Sequence, residues 1–302
     1  MSRLLYLVAT GYSGSTLLAF LLNAHPQIAS VGEATGPFDL WEDQRTYPCS
    51  CGKILADCEF WRRISAEMET RGVAFGPGHW DLRFRLARSR VPYQLLNQPL
   101  RHNALDELRD RMVLRVPRWR TRLTEIARRN EAFVESVLAV TGKQIFFDAS
   151  KAAARARYFH TSTGLDLRVV HLVRDSLGFV CSWASRGNSV ASGLRHWNRT
   201  VGHADRLAAL LPSDRFLRVR YEDLCRDTDA ELGRIARFAG VEPHPGPIDF
   251  RDAHHHMIGS EMRLENSGQV RIDERWRERL TADQIREIER WSGRNRQHLG
   301  YR

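Results

Sequence analysis

An α/β fold, a parallel β-sheet flanked by helices and carrying a helical insertion, is what this sequence predicts, on three observations. Short apolar runs alternate with stretches of helical period, the pattern of strand–helix–strand units. The runs are continuous rather than alternating apolar and polar, as expected of strands buried on both faces. The first run passes through a glycine-rich turn straight into a helix. The 302 residues are 42% hydrophobic and 27% charged, which is enough apolar material for a full core.

Taken in order, residues 4–9 (Leu-Leu-Tyr-Leu-Val-Ala) predict a central strand, 16–23 a helix packed on it, and 28–31 a second short strand. Residues 60–142 change character: they are polar, arginine-rich and helical in period, broken by Pro92, Pro99 and Pro117. They are expected to form an insertion within one domain spanning residues 1–302. Residues 144–148 resume the strand pattern, and 168–173 (Arg-Val-Val-His-Leu-Val) give the clearest buried strand. A helix is expected over 176–186, a strand over 215–220, and a helix over 228–239 stopped by Gly240. The last amphipathic helix spans 282–298.

The net charge of +10 favours anionic partners. Nearly all of it is arginine; lysine occurs only at positions 53, 143 and 151. No stretch approaches the roughly 20 apolar residues of a membrane span. The start mimics a signal peptide, but its apolar run is short and enters a glycine turn, so a soluble cytoplasmic protein is expected. Five cysteines, an odd count, argue against a disulfide framework.

The turn Thr10-Gly11-Tyr12-Ser13-Gly14-Ser15-Thr16 has the composition of an anion-binding loop. Gly11 and Gly14 permit tight backbone geometry, and the N–H groups at the helix start can surround an anion. Ser13, Ser15 and Thr16 add hydroxyl donors. The loop is P-loop NTPase-like in form, yet Gly14-Ser15-Thr16 stands where a nucleoside-triphosphate loop needs Gly-Lys-Ser/Thr. A nucleotide kinase or other P-loop phosphotransferase, the competing enzyme reading, therefore lacks its lysine. A second signal is Arg174 at the end of the 168–173 strand, with Ser182 eight residues on. Both can face the carboxyl edge of the sheet, where such folds bind ligands, and arginine suits a dianionic phosphate. A buried ion pair and a helix-facing serine would give the same pattern.

"GYSGSTLL" followed by "LVRDSLGFVCSWASR" resembles the 5′-phosphosulfate loop and the 3′-phosphate element of the sulfotransferase family, in the family's order. "RVRYEDLCRD" is similar to the family's third strand and following turn, and "MRLENSGQVRIDERWRERL" to the C-terminal segment that covers the nucleotide. The resemblance reaches most of the chain outside about 60–140. It is nearest to bacterial enzymes of the type related to tyrosylprotein and carbohydrate sulfotransferases. It implies transfer of a sulfuryl group from 3′-phosphoadenosine 5′-phosphosulfate to a hydroxyl of a small molecule, carbohydrate or peptide, with no metal required. It also implies that Gly11, Tyr12, Ser13, Gly14, Ser15, Thr16, Arg174, Ser182 and Tyr221 bind the nucleotide. Glu33, in "NAHPQIASVGEAT", falls where the tyrosylprotein enzymes carry a catalytic glutamate, and Lys151, in "FFDASK", resembles a lysine that assists them. Tyr12 departs from the family, which usually has a basic residue there. That departure keeps a non-catalytic nucleotide-binding module open as an alternative.

The remaining signals are weaker. Cys49, Cys51 and Cys58 could be three zinc ligands without a fourth, a loop disulfide, or reduced structural thiols; a local structural role is expected and no metal is assigned. His254-His255-His256 reads as a solvated turn, and His171 as a satisfied core histidine. The arginines at 83, 85, 88, 90, 101, 109, 111, 115, 118, 120, 122, 128 and 129 fit an acceptor cleft for an anionic substrate and a solvated helical face equally well. Trp80, Tyr93 and Trp119 are too sparse among them for a nucleic-acid surface, so no nucleic-acid partner is expected.

Overall fold

The computed structural model describes residues 1–36, 46–76, 78–86, 102–246, 248–251, 255–264 and 270–301. Five strands form one parallel sheet: β1 (Arg3–Ala9), β2 (Ile28–Ser30), β3 (Ile145–Lys151), β4 (Asp166–Val173) and β5 (Phe216–Arg220), in the order β2-β3-β1-β4-β5. The order puts β1 at the centre, paired in continuous register with β4 on one side and, with a register shift between Tyr6 and Val8, with β3 on the other. Its side chains alternate between two apolar layers: Leu4, Tyr6 and Val8 enter one, Leu5, Leu7 and Ala9 the other. All six are buried, which explains why the strand reads as a continuous apolar run.

Helices cover both faces. One layer holds α1 (Ser15–Ala24), α8 (Tyr221–Arg226) and α9 (Thr228–Ala239). The other holds α2 (Glu59–Thr70), α4 (Pro117–Thr141), α5 (Ala153–Ser162) and part of α7 (Val190–Leu210). A third cluster packs α6 (Ser176–Ala184), α7 and α11 (Ala282–His298), with the short α10 (Trp276–Arg279) against it. Helix α3 (Asn103–Arg115) precedes α4. Thus α2, α3 and α4 lie between β2 and β3, within the stretch expected to be helical. Pro117 starts α4 rather than interrupting it, because the first turn of a helix has no use for the missing N–H. Pro92, Pro99, Tyr93, Arg88, Arg90, Arg101 and His254 lie outside the described residues.

Local chemistry sets the helix ends. Gly240 closes α9 with φ 80°, and Thr281 with Gln284 forms a reciprocal capping box at the start of α11. Four helices went unforeseen: α5, α7 and the short α8 and α10. Along α7 the buried Leu194, Trp197, Val201, Ala204 and Leu207 keep a helical period, diluted by Gly193 and Gly202. Lys143 joins the end of α1 to β2: its ammonium donates to the carbonyls of Asn23 at 2.6 Å and Ile28 at 2.9 Å. Burial pulls its pKa down to about 8.

His171 is the core histidine that its mid-strand position suggested. It is 1% exposed, and Arg218 Nε donates to its Nδ1 at 3.3 Å. Burial first, and the Arg218 charge second, pull its pKa down to about 3. An unfolded histidine titrates near 6.5, so below that pH the unfolded chain takes a proton that the folded one refuses. Stability is therefore unaffected by His171 above about pH 6.5 and falls as pH drops below it, by about 1.4 kcal/mol per pH unit for this one group. Denaturant unfolding of His171→Gln between pH 6.5 and 5 should show a slope shallower than wild type by that amount. Parallel curves for the two proteins would contradict this account of His171.

Candidate active site

The turn after β1 is built around two left-handed residues, Tyr12 (φ 56°) and Gly14 (φ 82°). Gly14 also touches the Tyr221 ring: a Cβ there would stand 2.7 Å from Tyr221 Cδ2. Ser13 is fully buried and bonds the Thr10 hydroxyl and carbonyl. Its hydroxyl braces the loop instead of facing a cleft, whereas Thr16 lines one. Ser15 is buried at the first position of α1. Among the described residues no side chain caps that helix, so its leading N–H groups can take an anion.

Neighbouring residues of this turn line two different clefts. Tyr12, Gly14 and Thr16 line a cavity of about 540 Å³ together with Arg174, Ser182, Tyr221, Arg186, Arg271 and Arg275. Gly11 lines another of about 530 Å³ with Glu33, Lys151, Arg83, His196, Arg199 and His203.

Arg174 organises the first cleft. At the end of β4 it is 5% exposed. It donates to the Tyr12 carbonyl at 2.9 Å, the Ser182 hydroxyl at 3.3 Å and the Asp273 carbonyl at 2.9 Å, and pairs with the Asp273 carboxylate at 3.1 Å. Its guanidinium lies 4.9 Å from the centre of the Tyr221 ring. Gly178 makes room for it, since a Cβ would stand 2.8 Å from Arg174 Nε. The eight-residue spacing thus brings Arg174 and Ser182 into contact. Hydrogen bonds from Arg275, then the charge of Arg174, hold the Asp273 carboxyl well below the usual carboxylate range. Arg186, which the sequence reading passed over, stacks 5.5 Å over the Tyr12 ring and places a cation where the loop itself carries none.

In the second cleft Lys151 Nζ lies 2.5 Å from Glu33 Oε1. Lys151 has φ 69°, and among the described residues it and Tyr12 are the two non-glycine residues in the left-handed region. Such conformations persist where the surroundings impose them, and they concentrate at functional sites. Here the imposing network is buried. Asp148 accepts from Ser150 N at 3.0 Å and Arg155 Nε at 3.1 Å, and Arg155 also donates to Asn130 Oδ1 at 2.8 Å. Tyr6 OH holds the Ala152 carbonyl at 3.0 Å. Helix α7 adds His196, Arg199 and His203, which the sequence reading missed with the helix itself. Burial, then Arg206 and Arg199, pull the His203 pKa down to about 4; burial, then Arg199, lowers that of His196.

The histidine run is a correction. His255 is buried, between Asn23 Nδ2 at 2.8 Å and the Phe250 carbonyl at 2.5 Å, and His256 reaches the cysteines. Neither belongs to a solvated turn, because the segment packs against α1 and the cysteine hairpin. His256 stands beside the three cysteines as a fourth group, its ligand atom within 4.8 Å of theirs. Of the arginine-rich stretch, Arg83 reaches the Glu33 cleft. Arg109 is buried with Asp106 and Asp110, and Arg122 pairs with Asp81 at 2.6 Å.

Comparison with known proteins agrees with the resemblance read from the motifs. The sulfotransferase family model matches residues 165–245, the segment running from β4 to just past α9. The fold is that of a sulfotransferase domain from the curacin biosynthetic pathway: 13% identity, 100% of this chain and 99% of that one covered, TM-score 0.59. The mouse sulfotransferase SULT7A1 complexed with PAP is a weaker structural match, with 11% identity, 97% and 84% coverage and a TM-score of 0.45. No curated protein sequence matches the chain. The family match over this segment and the shared fold both point to sulfotransferases as the proteins this chain resembles. Among the described residues no helix is long and apolar enough to cross a membrane.

Gly14→Ala meets both a left-handed backbone and the Tyr221 ring. It should lower unfolding free energy by about 1–3 kcal/mol, the range for an imposed left-handed residue. A denaturant midpoint equal to wild type would show that the turn relaxes without cost.

Proposed function

We propose that this protein moves the sulfuryl group of 3′-phosphoadenosine 5′-phosphosulfate to an acceptor hydroxyl, with the nucleotide in the Arg174 cleft and the acceptor in the Glu33 cleft. The observation that carries this reading is the turn at 10–16, which gives Gly11 to one cleft and Tyr12, Gly14 and Thr16 to the other. A group passed between clefts that share a turn travels a short distance, as in-line transfer requires. We also read residues 1–302 as one domain, with the helices of about 60–142 as its insertion.

The residues present fit the nucleotide. Arg174 already holds a carboxylate in its buried site, so the position accepts an anion, and Ser182 beside it offers a hydroxyl. These two would take the 3′-phosphate, with the Tyr221 ring against Arg174. The uncapped start of α1 and the Thr16 hydroxyl would take the 5′-phosphosulfate. In the transfer, the sulfur–oxygen bond to the phosphate breaks as the bond to the acceptor oxygen forms. The acceptor proton goes to the Glu33 carboxylate. Lys151 is the cation assigned to the charge that develops on the leaving phosphate, where preorganised charge counts most in the transition state. Arg186 on Tyr12 supplies a second. A sulfuryl group carries less charge than a phosphoryl group, so these cations can do the work that magnesium does in phosphoryl transfer. The basic lining of Arg83, Arg199 and Lys151 favours an anionic hydroxyl compound as acceptor.

Arg174→Ala should weaken binding of adenosine 3′,5′-bisphosphate by about 2–3 kcal/mol, the scale of a lost charge-assisted hydrogen bond, and weaken the already weaker ADP binding by less. Titration calorimetry of both nucleotides decides it: equal wild-type affinity for the two sinks the assignment of the 3′-phosphate.

Glu33→Gln should cut turnover by about 10²–10⁴-fold, the usual contribution of a positioned base, without loss of bisphosphate affinity. Lys151→Met should slow single turnover and spare that affinity likewise. Wild-type rates in Glu33→Gln, measured with labelled donor and a proven acceptor, would remove Glu33 from the chemistry.

A further inference from the structure

A hairpin closed by the Pro48–Ile54 pairing turns tightly at residues 49–53. Cys49 N donates to the Lys53 carbonyl at 2.8 Å, Gly52 N to the Cys49 carbonyl at 3.0 Å, and Gly52 takes φ 84°. The turn brings Cys49 and Cys51 to one side. Cys58, at the start of α2, and His256, almost 200 residues further along the chain, arrive at the same point. Their ligand atoms all lie within 4.8 Å of one another.

The separations discriminate between the possible roles. Cys51 and Cys58 sulfurs are 3.7 Å apart, and Cys58 and Cys49 sulfurs 3.9 Å. A disulfide needs about 2.0 Å. His256 Nδ1 is 3.3 Å from the Cys58 sulfur and 3.9 Å from that of Cys49. A regular tetrahedron around zinc, with Zn–S about 2.3 Å and Zn–N about 2.05 Å, puts sulfurs about 3.8 Å apart and sulfur about 3.6 Å from nitrogen. Four of the six separations stand on those spacings to within a few tenths of an ångström, and all six lie within 4.8 Å.

The outer contacts fit as well. The backbone N–H of Cys51 turns to the Cys49 sulfur, and that of Trp61 to the Cys58 sulfur. Such bonds orient thiolate ligands. The His256 ring stacks on Phe60, centres 4.6 Å apart and planes 5° from parallel. Cys49 and Cys58 are buried while Cys51 is exposed, which leaves an entry path.

We propose that Cys49, Cys51, Cys58 and His256 bind a zinc ion in a closed, structural Cys₃His site. Binding releases the three thiol protons to solvent as the thiolates form. Four protein ligands complete the tetrahedron and leave no position for a reactant, which makes the ion a clip and not a catalyst. The clip fastens the hairpin to residues 255–259. Ser50 N donates to the Met257 carbonyl at 3.2 Å, and Ser50 Oγ to that of His255 at 2.9 Å. That segment in turn runs alongside the residues after β2: Ile258 N donates to Val31 O at 2.9 Å and Glu33 N to Ile258 O at 3.1 Å. The ion would thus steady the wall that carries Glu33.

The inference is independent of the sulfuryl-transfer reading, and so is its test. The full chain, purified from zinc-supplemented medium without chelators, is assayed for metal by elemental mass spectrometry. Stoichiometric zinc is expected in wild type, and its loss in Cys49→Ser and in His256→Ala. Should those variants misfold, wild type stripped of metal and titrated with cobalt(II) should show thiolate-to-cobalt charge transfer and tetrahedral ligand-field bands that zinc then displaces. Wild type without stoichiometric zinc and without those cobalt bands overturns the proposal, as does zinc retained in a folded chain lacking both Cys49 and His256.

Discussion

The buried guanidinium of Arg174 is the constraint around which the site is arranged. A cation that is 5% exposed has lost most of its hydration and must recover it from the protein. Arg174 does so with the Tyr12 carbonyl, the Asp273 carboxylate and the Tyr221 ring, three groups from three separate segments. One side chain at the end of β4 thereby fixes the turn after β1, the segment before α10 and the start of α8. The left-handed Tyr12, whose carbonyl Arg174 holds, is best understood as imposed by that bond. The backbone of Arg174 is tied down as well, since Trp197 Nε1 of α7 donates to its carbonyl at 2.9 Å.

The same logic operates across the sheet. Asp148, fully buried, is satisfied by Arg155 and by the backbone of residue 150, and the turn so fixed holds Lys151 in its left-handed conformation beside Glu33. Gly259 leaves room for the Glu33 side chain, since a Cβ there would stand 3.0 Å from Glu33 Cγ. Each cleft is therefore backed by a buried arginine that pairs with an aspartate and lies against an aromatic ring. In the proposed mechanism this rigidity lets charges be placed before the reaction rather than gathered during it.

Much of this was legible in the sequence because it is local. Apolar runs mark β1 and β4, since a strand buried on both faces has no polar alternation to disguise it. The spacing of Arg174 and Ser182 puts them in contact because two helical turns bring residue 182 back over the strand end. What escaped depends on distant parts of the chain. His256 meets the cysteines through tertiary closure alone. The orientation of Ser13 is set by the Thr10 hydroxyl, and composition cannot distinguish a brace from a ligand donor. Helix α7 hid its cleft residues differently: 196, 199, 200 and 203 form a polar stripe beside the apolar one at 194, 197, 201, 204 and 207. Both stripes carry a helical period, and reading either would have located His196 and His203.

The central claim is that Arg174 and the turn at 10–16 hold the two ends of one nucleotide, leaving the Glu33 cleft for the acceptor. A crystal structure of the chain with adenosine 3′,5′-bisphosphate tests it most directly. The account predicts the 3′-phosphate on Arg174 and Ser182, in the place of the Asp273 carboxylate, and the 5′-phosphate on the first N–H groups of α1. A nucleotide bound in the Glu33 cleft, or with its 3′-phosphate away from Arg174, would contradict it.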